Sequence, residues 1–190
     1  MHVQPPSPGF LLAPTEALLR GFVFDEPEAS EAAAAAGAAG PLAPAGVLLR
    51  EGFRVGGLRL MIRYQDGSEL TDLPPVYRLP RAPGWLLGMA NLHGALVPVF
   101  DPAELLGVVH GEDKPMLLVL GHGDARAGVV IDGLPVRLRL EPQDRIPDAA
   151  LPPRLAGCAD GVWWSEGADW IDLQVDAWLA QLAADLAASA

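Results

Sequence analysis

The chain of 190 residues carries 24 acidic against 13 basic side chains, a formal charge of −11, which excludes the positive footprint that nucleic acid or an anionic membrane surface needs. Its 21 glycines and 19 prolines are too many for a helix bundle, because both residues break helix interiors, while 51% hydrophobic content is ample for a core. The single cysteine, Cys158, excludes an intrachain disulfide and a thiolate metal cluster.

In chain order, Met1 to Gly9 holds no Lys or Arg ahead of Phe10-Leu11-Leu12, so a signal peptide is not expected. Leu11, Leu18, Leu19 and Phe22 have helical spacing, interrupted by Pro14. Asp25–Glu31 is acidic and Ala32–Pro44 is a low-complexity Ala/Gly/Pro run that reads as a linker. Residues 1–44 are therefore expected to be an extension, either a tail with one marginal helix or a docking segment for a partner, and 45–190 a folded domain. Two uncharged stretches, Ala32–Leu49 and Ala82–Phe100, reach membrane-span length. The first is too weakly apolar, and the second is broken by Pro83, Asn91, His93 and Pro98, so no direct membrane insertion is expected.

From Ala45 onward, short apolar runs alternate with Gly/Pro/Asp punctuation, the pattern of an all-β domain. Gly52–Val55 and Leu58–Arg63 read as a hairpin around Gly56-Gly57, with Leu58, Leu60 and Ile62 on one face and Arg59 and Arg63 on the other. Trp85-Leu86-Leu87 reads as an apolar turn after an extended entry through Pro80 and Pro83, with Gly88 starting a strand. Asn91-Leu92-His93-Gly94 is a hairpin-like tip. Ala95–Phe100, Met116–Leu120 and Gly128–Asp132 lack alternation and suit fully buried strands. Val136–Leu140 alternates strictly, and Val162–Ser165 with Ala168–Leu173 forms a hairpin around Glu166-Gly167.

Two helices stand among the strands. Asp101-Pro102 opens the first with an N-cap acid and a proline at its first position, and Gly107 ends it. The second is C-terminal, with Val175, Trp178, Leu179, Leu182 and Leu186 on one stripe. Ala90–Leu105 and Ala159–Leu179 share one order of features: small residue, glycine, apolar strand, helix. That pseudo-repeat points to two similar small barrels.

Reactive constellations are sparse. None of Ser7, Ser30, Ser68, Ser165 and Ser189 sits in a G-x-S-x-G setting, Cys158 reads as a small core residue, and no Gly-rich phosphate cradle opens a helix. A hard-ligand metal set from His110, Asp113, His122 and Asp124 is conceivable, as is a small hydrolase or metal enzyme using His93 with Asp101 or Asp132. No catalytic activity, metal or cofactor is expected. Of the adjacent Trp163 and Trp164, one must face away from the core.

Residues 69–107 contain Trp85, Gly88, Asn91, Leu92, Gly94, Pro98, Val99 and Asp101 at spacings that resemble the CheW family of chemosensory adaptors, whose run reads aromatic-x-x-Gly-x-x-Asn-Leu-Arg-Gly-x-x-x-Pro-x-x-Asp. Ala127–Leu134 and Gly157–Leu179 are similar to later segments of the same family, so the resemblance covers about residues 45–188. The N-terminal extension followed by Gly52-Phe53-Arg54-Val55-Gly56-Gly57 is similar to PilI-type members associated with type IV pilus systems.

The resemblance implies a mainly β fold of two intertwined, five-stranded, SH3-like barrels and a non-catalytic cytoplasmic adaptor at receptor arrays. Its partners would be the cytoplasmic tip of a methyl-accepting chemoreceptor and the regulatory domain of a CheA-type histidine kinase, in chemotaxis or twitching motility. The same resemblance puts Glu69, Trp85, Gly88, Asn91, Leu92, His93, Gly94, Pro98 and Asp101 at a partner surface. Where the family has Arg paired with a Glu about 24 residues earlier, this chain has His93 and Glu69. A His–Glu pair keeps one hydrogen bond and becomes an ion pair only when the imidazole is protonated, so the expectation is a weakened, pH-sensitive version of that contact. Asp101-Pro102 replaces the family's Asp-Leu, which leaves room for a divergent member that binds a pilus or polar-localisation partner instead of the kinase.

Overall fold

The computed structural model describes residues 46–189, and the expectations for residues 1–44 lie outside them. Among the described residues, twelve strands pair into two six-stranded sheets, and two helices accompany them. The first hairpin is β1 (Leu48–Val55) and β2 (Leu58–Arg63), turning at Gly56, whose φ of 58° suits glycine. A 3-10 turn at Tyr64–Asp66 then leads into β3 (Gly67–Asp72) and the two-residue β4 (Val76–Tyr77). Next come β5 (Leu86–Leu92), β6 (Ala95–Phe100) and helix α1 (Pro102–Leu106), then β7 (Pro115–Leu120) and β8 (Ala127–Asp132). The chain ends with β9 (Val136–Leu140), the two-residue β10 (Arg145–Ile146), β11 (Ala159–Ser165), β12 (Ala168–Leu173) and helix α2 (Val175–Ser189).

One sheet runs β10-β11-β12-β2-β1-β9 and the other β4-β5-β6-β8-β7-β3. Read this way the two orders correspond strand for strand. Each has a two-residue edge strand, a hairpin, a parallel step (β12 on β2, β6 on β8) and an antiparallel finish. Each hairpin is followed by a helix, which is the pseudo-repeat read from Ala90–Leu105 and Ala159–Leu179. The five-stranded barrels of the resemblance are thus five strands plus a short edge strand, β4 or β10. The second sheet is built wholly from residues 67–132, inserted between β2 and β9 of the first.

Alternation along the strands divides the apolar side chains among three cores. Met61, Leu138, Leu140, Trp163 and Trp170 fill the first barrel. Val97, Val99, Leu117, Val119 and Val130 fill the second. The opposite faces of the same strands meet in a larger shared core that includes Phe53, Leu60, Ile62, Leu118, Ile131 and Ile171, sealed by Trp178 and Leu182 of α2. Trp163 is buried while Trp164 is 53% exposed, the expected split. Cys158 is buried in the shared core, and burial pushes its thiol pKa up.

Three local expectations are corrected. Pro80 and Pro83 do not produce an extended entry, because Ala82 N–H bonds to Leu79 O and Leu86 N–H to Pro83 O, closing two successive turns. Leu86-Leu87 is strand rather than turn, and Gly88 lies inside β5 at a bulge instead of starting the strand. Val136, at the head of the alternating β9, is 41% exposed, since only Leu138 and Leu140 reach the barrel interior.

Candidate functional site: the β5–β6 tip and the barrel seam

The β5–β6 hairpin turns at His93 and Gly94 with φ of 52° and 87°, the left-handed pair of a type I′ turn. Asn91 Oδ1 accepts from the Gly94 N–H at 2.8 Å and locks the turn. From this tip His93 Nε2 lies 2.8 Å from Glu69 Oε1 on β3. Strands β7 and β8 separate β3 from β6 in the sheet, so the contact spans a curled sheet whose two sides meet. A bulge between Gly67 and Glu69 accompanies the carboxylate on its strand. The His93 side chain is 79% exposed and that of Glu69 29%. A single hydrogen bond at this exposure is weak, and it gains ion-pair character only when imidazole is protonated.

The remaining residues of the resemblance sit further inside. Trp85 stacks on Phe100 at 5.9 Å between ring centroids, against the shared core. Gly88 is buried with φ of 140°, and a Cβ there would stand 2.1 Å from the Tyr77 carbonyl oxygen. Leu92 is buried in the second barrel, and Pro98 borders an open groove of about 480 Å³ walled by Phe100, Ala127, Leu179, Ala183 and Leu186. Asp101 caps α1 by accepting from the N–H groups of Ala103 at 2.9 Å and Glu104 at 3.3 Å. Of the nine residues expected at a partner surface, Glu69, Asn91, His93 and Gly94 converge on the tip, Trp85, Gly88, Leu92 and Asp101 hold its framework, and Pro98 borders the groove.

A second cluster lies at the seam between the sheets. His110 Nδ1 is 2.6 Å from Asp132 Oδ1, and His110 Nε2 is 2.9 Å from Asp101 Oδ1. Asp132 Oδ2 also accepts from the N–H of Gly56, in the β1–β2 turn, at 2.5 Å and from that of Gly111 at 3.0 Å. Burial opposes charge on His110, but the hydrogen bonds to Asp132 and Asp101 outweigh it and raise its pKa above the ordinary imidazole value. Burial likewise disfavours the Asp132 carboxylate, yet the bonds from Gly111, His110 and Gly56 outweigh that and lower its pKa.

This geometry corrects the pairing of His93 with Asp101 or Asp132, because both aspartates engage His110 and His93 engages Glu69. The conceivable metal set is also dispersed. Asp113 pairs with Arg54 at 2.9 Å, and His122 Nε2 lies 3.0 Å from the Gln65 carbonyl. Among the described residues no group of three or more His, Cys, Asp or Glu gathers as a metal site. Sequence reasoning missed the His110 cluster because its members lie 9 and 22 residues apart in unlike contexts. The available signal was Asp132 itself, a carboxylate closing the apolar run Val129-Val130-Ile131, since a buried acid requires partners.

Comparison with known proteins agrees with this architecture. The CheW-like domain model matches residues 52–182. Protein PilI of Pseudomonas aeruginosa is 33% identical over 86 residues, covering 43% of this chain and 47% of PilI. Protein FrzA of Myxococcus xanthus is 36% identical over 110 residues, covering 56% of this chain and 65% of FrzA. The chain thus spans about half to two thirds of the length of these relatives. The crystal structure of the scaffolding protein TtCheW from Thermoanaerobacter tengcongensis superposes with a TM-score of 0.58 at 14% identity, covering 67% of this chain and 88% of that one. A likeness at that identity concerns the fold, which is a pair of SH3-like barrels. With two sheets in matching strand order and a family match across most of both, the chain belongs to the CheW-like family.

Proposed function

We propose that this chain is a non-catalytic adaptor of a chemosensory array, joining the cytoplasmic tip of a methyl-accepting receptor to the regulatory domain of a CheA-type kinase. The observation that carries the reading is the Glu69–His93 contact at 2.8 Å, made where the family pattern has a Glu–Arg pair. It presents an exposed, locked turn with polar groups and little loose backbone, which suits recognition at low entropic cost. The kinase, not this chain, performs the phosphoryl chemistry. Similarity to PilI favours a type IV pilus system as the output, with the chain working at the inner face of the membrane. No helix among the described residues is long and apolar enough to cross one.

The test is calorimetry of the full chain against the cognate kinase regulatory domain and, separately, a receptor-tip fragment, with wild type and His93→Arg in parallel. Micromolar or tighter binding of both partners by wild type supports the adaptor reading. Arg offers a permanent charge and a bidentate fork to Glu69, so the variant should bind at least as tightly and with less dependence on pH. Binding of neither partner by either protein overturns the reading. Binding of the receptor fragment but not the kinase overturns kinase coupling and leaves a divergent member serving another partner.

A further inference from the structure

We infer that His110 is a proton-operated clamp within the second barrel, beside its seam with the first, closed when the imidazole carries two protons and half-open when it carries one. The inference rests on the fold and does not depend on the adaptor reading. Both ring nitrogens face carboxylate oxygens, Nδ1 to Asp132 at 2.6 Å and Nε2 to Asp101 at 2.9 Å. An ionised carboxylate only accepts hydrogen bonds, so both contacts require both ring nitrogens to donate. Neutral imidazole donates once, and its second nitrogen then presents a lone pair to an oxygen.

The structure also decides which contact opens. Asp132 is 2% exposed and its other oxygen is held by the N–H groups of Gly56 and Gly111, so it cannot turn away to water. Asp101 is only partly buried and its Oδ1 keeps the N–H donors of Ala103 and Glu104 without the histidine. The neutral ring therefore retains Nδ1–H to Asp132 and loses Nε2 to Asp101. What parts is the link between the cap of α1, continuous with the β5–β6 hairpin, and the Asp132 anchor that holds the β1–β2 turn.

The charged groups facing the ring are accounted for. Asp101 reaches it from the cap of α1 and Asp132 from the end of β8, while the β1–β2 turn contributes the uncharged Gly56 N–H. The nearby Arg54–Asp113 pair at 2.9 Å is satisfied internally beside Gly133. Because both facing groups are anionic, the closed state persists above the ordinary imidazole range, in keeping with the direction of the His110 shift. The clamp therefore opens as pH rises.

The experiment is an NMR pH titration of the full chain, following imidazole carbon and backbone amide signals in wild type, His110→Gln and Asp101→Asn. The inference expects His110 to titrate above the ordinary imidazole range, with the amides of Ala103, Glu104 and Gly56 inflecting at the same pH. In His110→Gln those amide inflections disappear. Asp101→Asn keeps an oxygen to cap α1 but removes one anion, so it should move the His110 titration down. Ala103 and Glu104 amides that stay flat through the His110 inflection overturn the clamp. So does a His110 titration unmoved in Asp101→Asn, a result that stands even if His110→Gln fails to fold.

Discussion

Gly88 and Gly161 occupy matching places in the two barrels, each at a bulge in the first strand of the hairpin that precedes a helix, with φ of 140° and 148°. Replacing either with alanine adds the same methyl group at nearly the same backbone angle, so the local strain, about 1–3 kcal/mol, is common to both. The unfolded-state gain of Gly→Ala, roughly 0.4–1 kcal/mol, is common as well. The surroundings differ. A Cβ at Gly88 would lie 2.1 Å from the Tyr77 carbonyl oxygen, which is backbone, whereas at Gly161 the nearest atoms are the Arg145 guanidinium at 3.3 Å, the far end of a flexible side chain. Gly88→Ala must therefore push β4 away from β5, adding about 1–3 kcal/mol of displacement, while Gly161→Ala need only swing Arg145 aside. At roughly 2–4 °C per kcal/mol for a chain of this size, Gly88→Ala should melt several degrees below Gly161→Ala and further below wild type. Thermal unfolding followed by near-UV circular dichroism reads this directly, since Trp163, Trp170 and Trp178 report on the packed state. Equal melting points for the two variants, or a Gly161→Ala protein melting lower, would refute the argument that backbone contact at Tyr77 decides the difference.

Further outcomes follow from buried charge and core volume. Arg50 holds the buried Asp172 through two bonds of 2.8 and 2.9 Å. Arg50→Met strands that carboxylate and should cost about 3–5 kcal/mol in urea unfolding at neutral pH. The loss should shrink in acid, because burial already holds the Asp172 pKa above its ordinary value; an equal loss at every pH would contradict this. Trp178→Ala removes a side chain 1% exposed at the centre of the shared core and should cost roughly 3–5 kcal/mol, with loss of cooperative unfolding as the sign that α2 has detached. The Asp132 pKa is lowered, so its contribution to stability is present above the unfolded carboxylate value and is lost as pH falls through the folded one. The His110 pKa is raised, so its contribution is complete below the unfolded imidazole value and is lost as pH rises through the folded one. Urea midpoints across pH should fall on both sides, and His110→Gln should flatten the alkaline side while weakening the acid side only in part, since Gly111 and Gly56 still hold the Asp132 carboxylate.

What the sequence revealed depended on how local each signal was. The turns at His93-Gly94 and Glu166-Gly167 were legible because a left-handed pair between apolar runs has few other readings, and the one at Gly56 because adjacent glycines there interrupt two apolar runs. The cap at Asp101 was equally plain. Strands β4 and β10 escaped notice because two residues carry no period, and β3, Gly-Ser-Glu-Leu-Thr-Asp, is largely polar at an edge of its sheet. The Glu69–His93 contact was reachable only through the family resemblance, since nothing in the spacing of two polar residues on separate strands announces a meeting. The His110 cluster lay beyond both routes, because the parallel pairing of β6 with β8 brings the strand ends bearing Asp101 and Asp132 together and the loop after α1 returns His110 between them.

The insertion of residues 67–132 as one continuous sheet between β2 and β9 sets an order of assembly. During synthesis the second barrel can emerge complete and close its own pairings while the first still waits for four of its six strands. Strands β1 and β2 then form an orphan hairpin until β9 to β12 leave the ribosome, and the parallel join of β12 to β2 closes a loop of more than a hundred residues. A pause or truncation after β8 would therefore yield a finished second barrel carrying an unpaired edge and a bare apolar face, a species that chaperones and proteases would meet first.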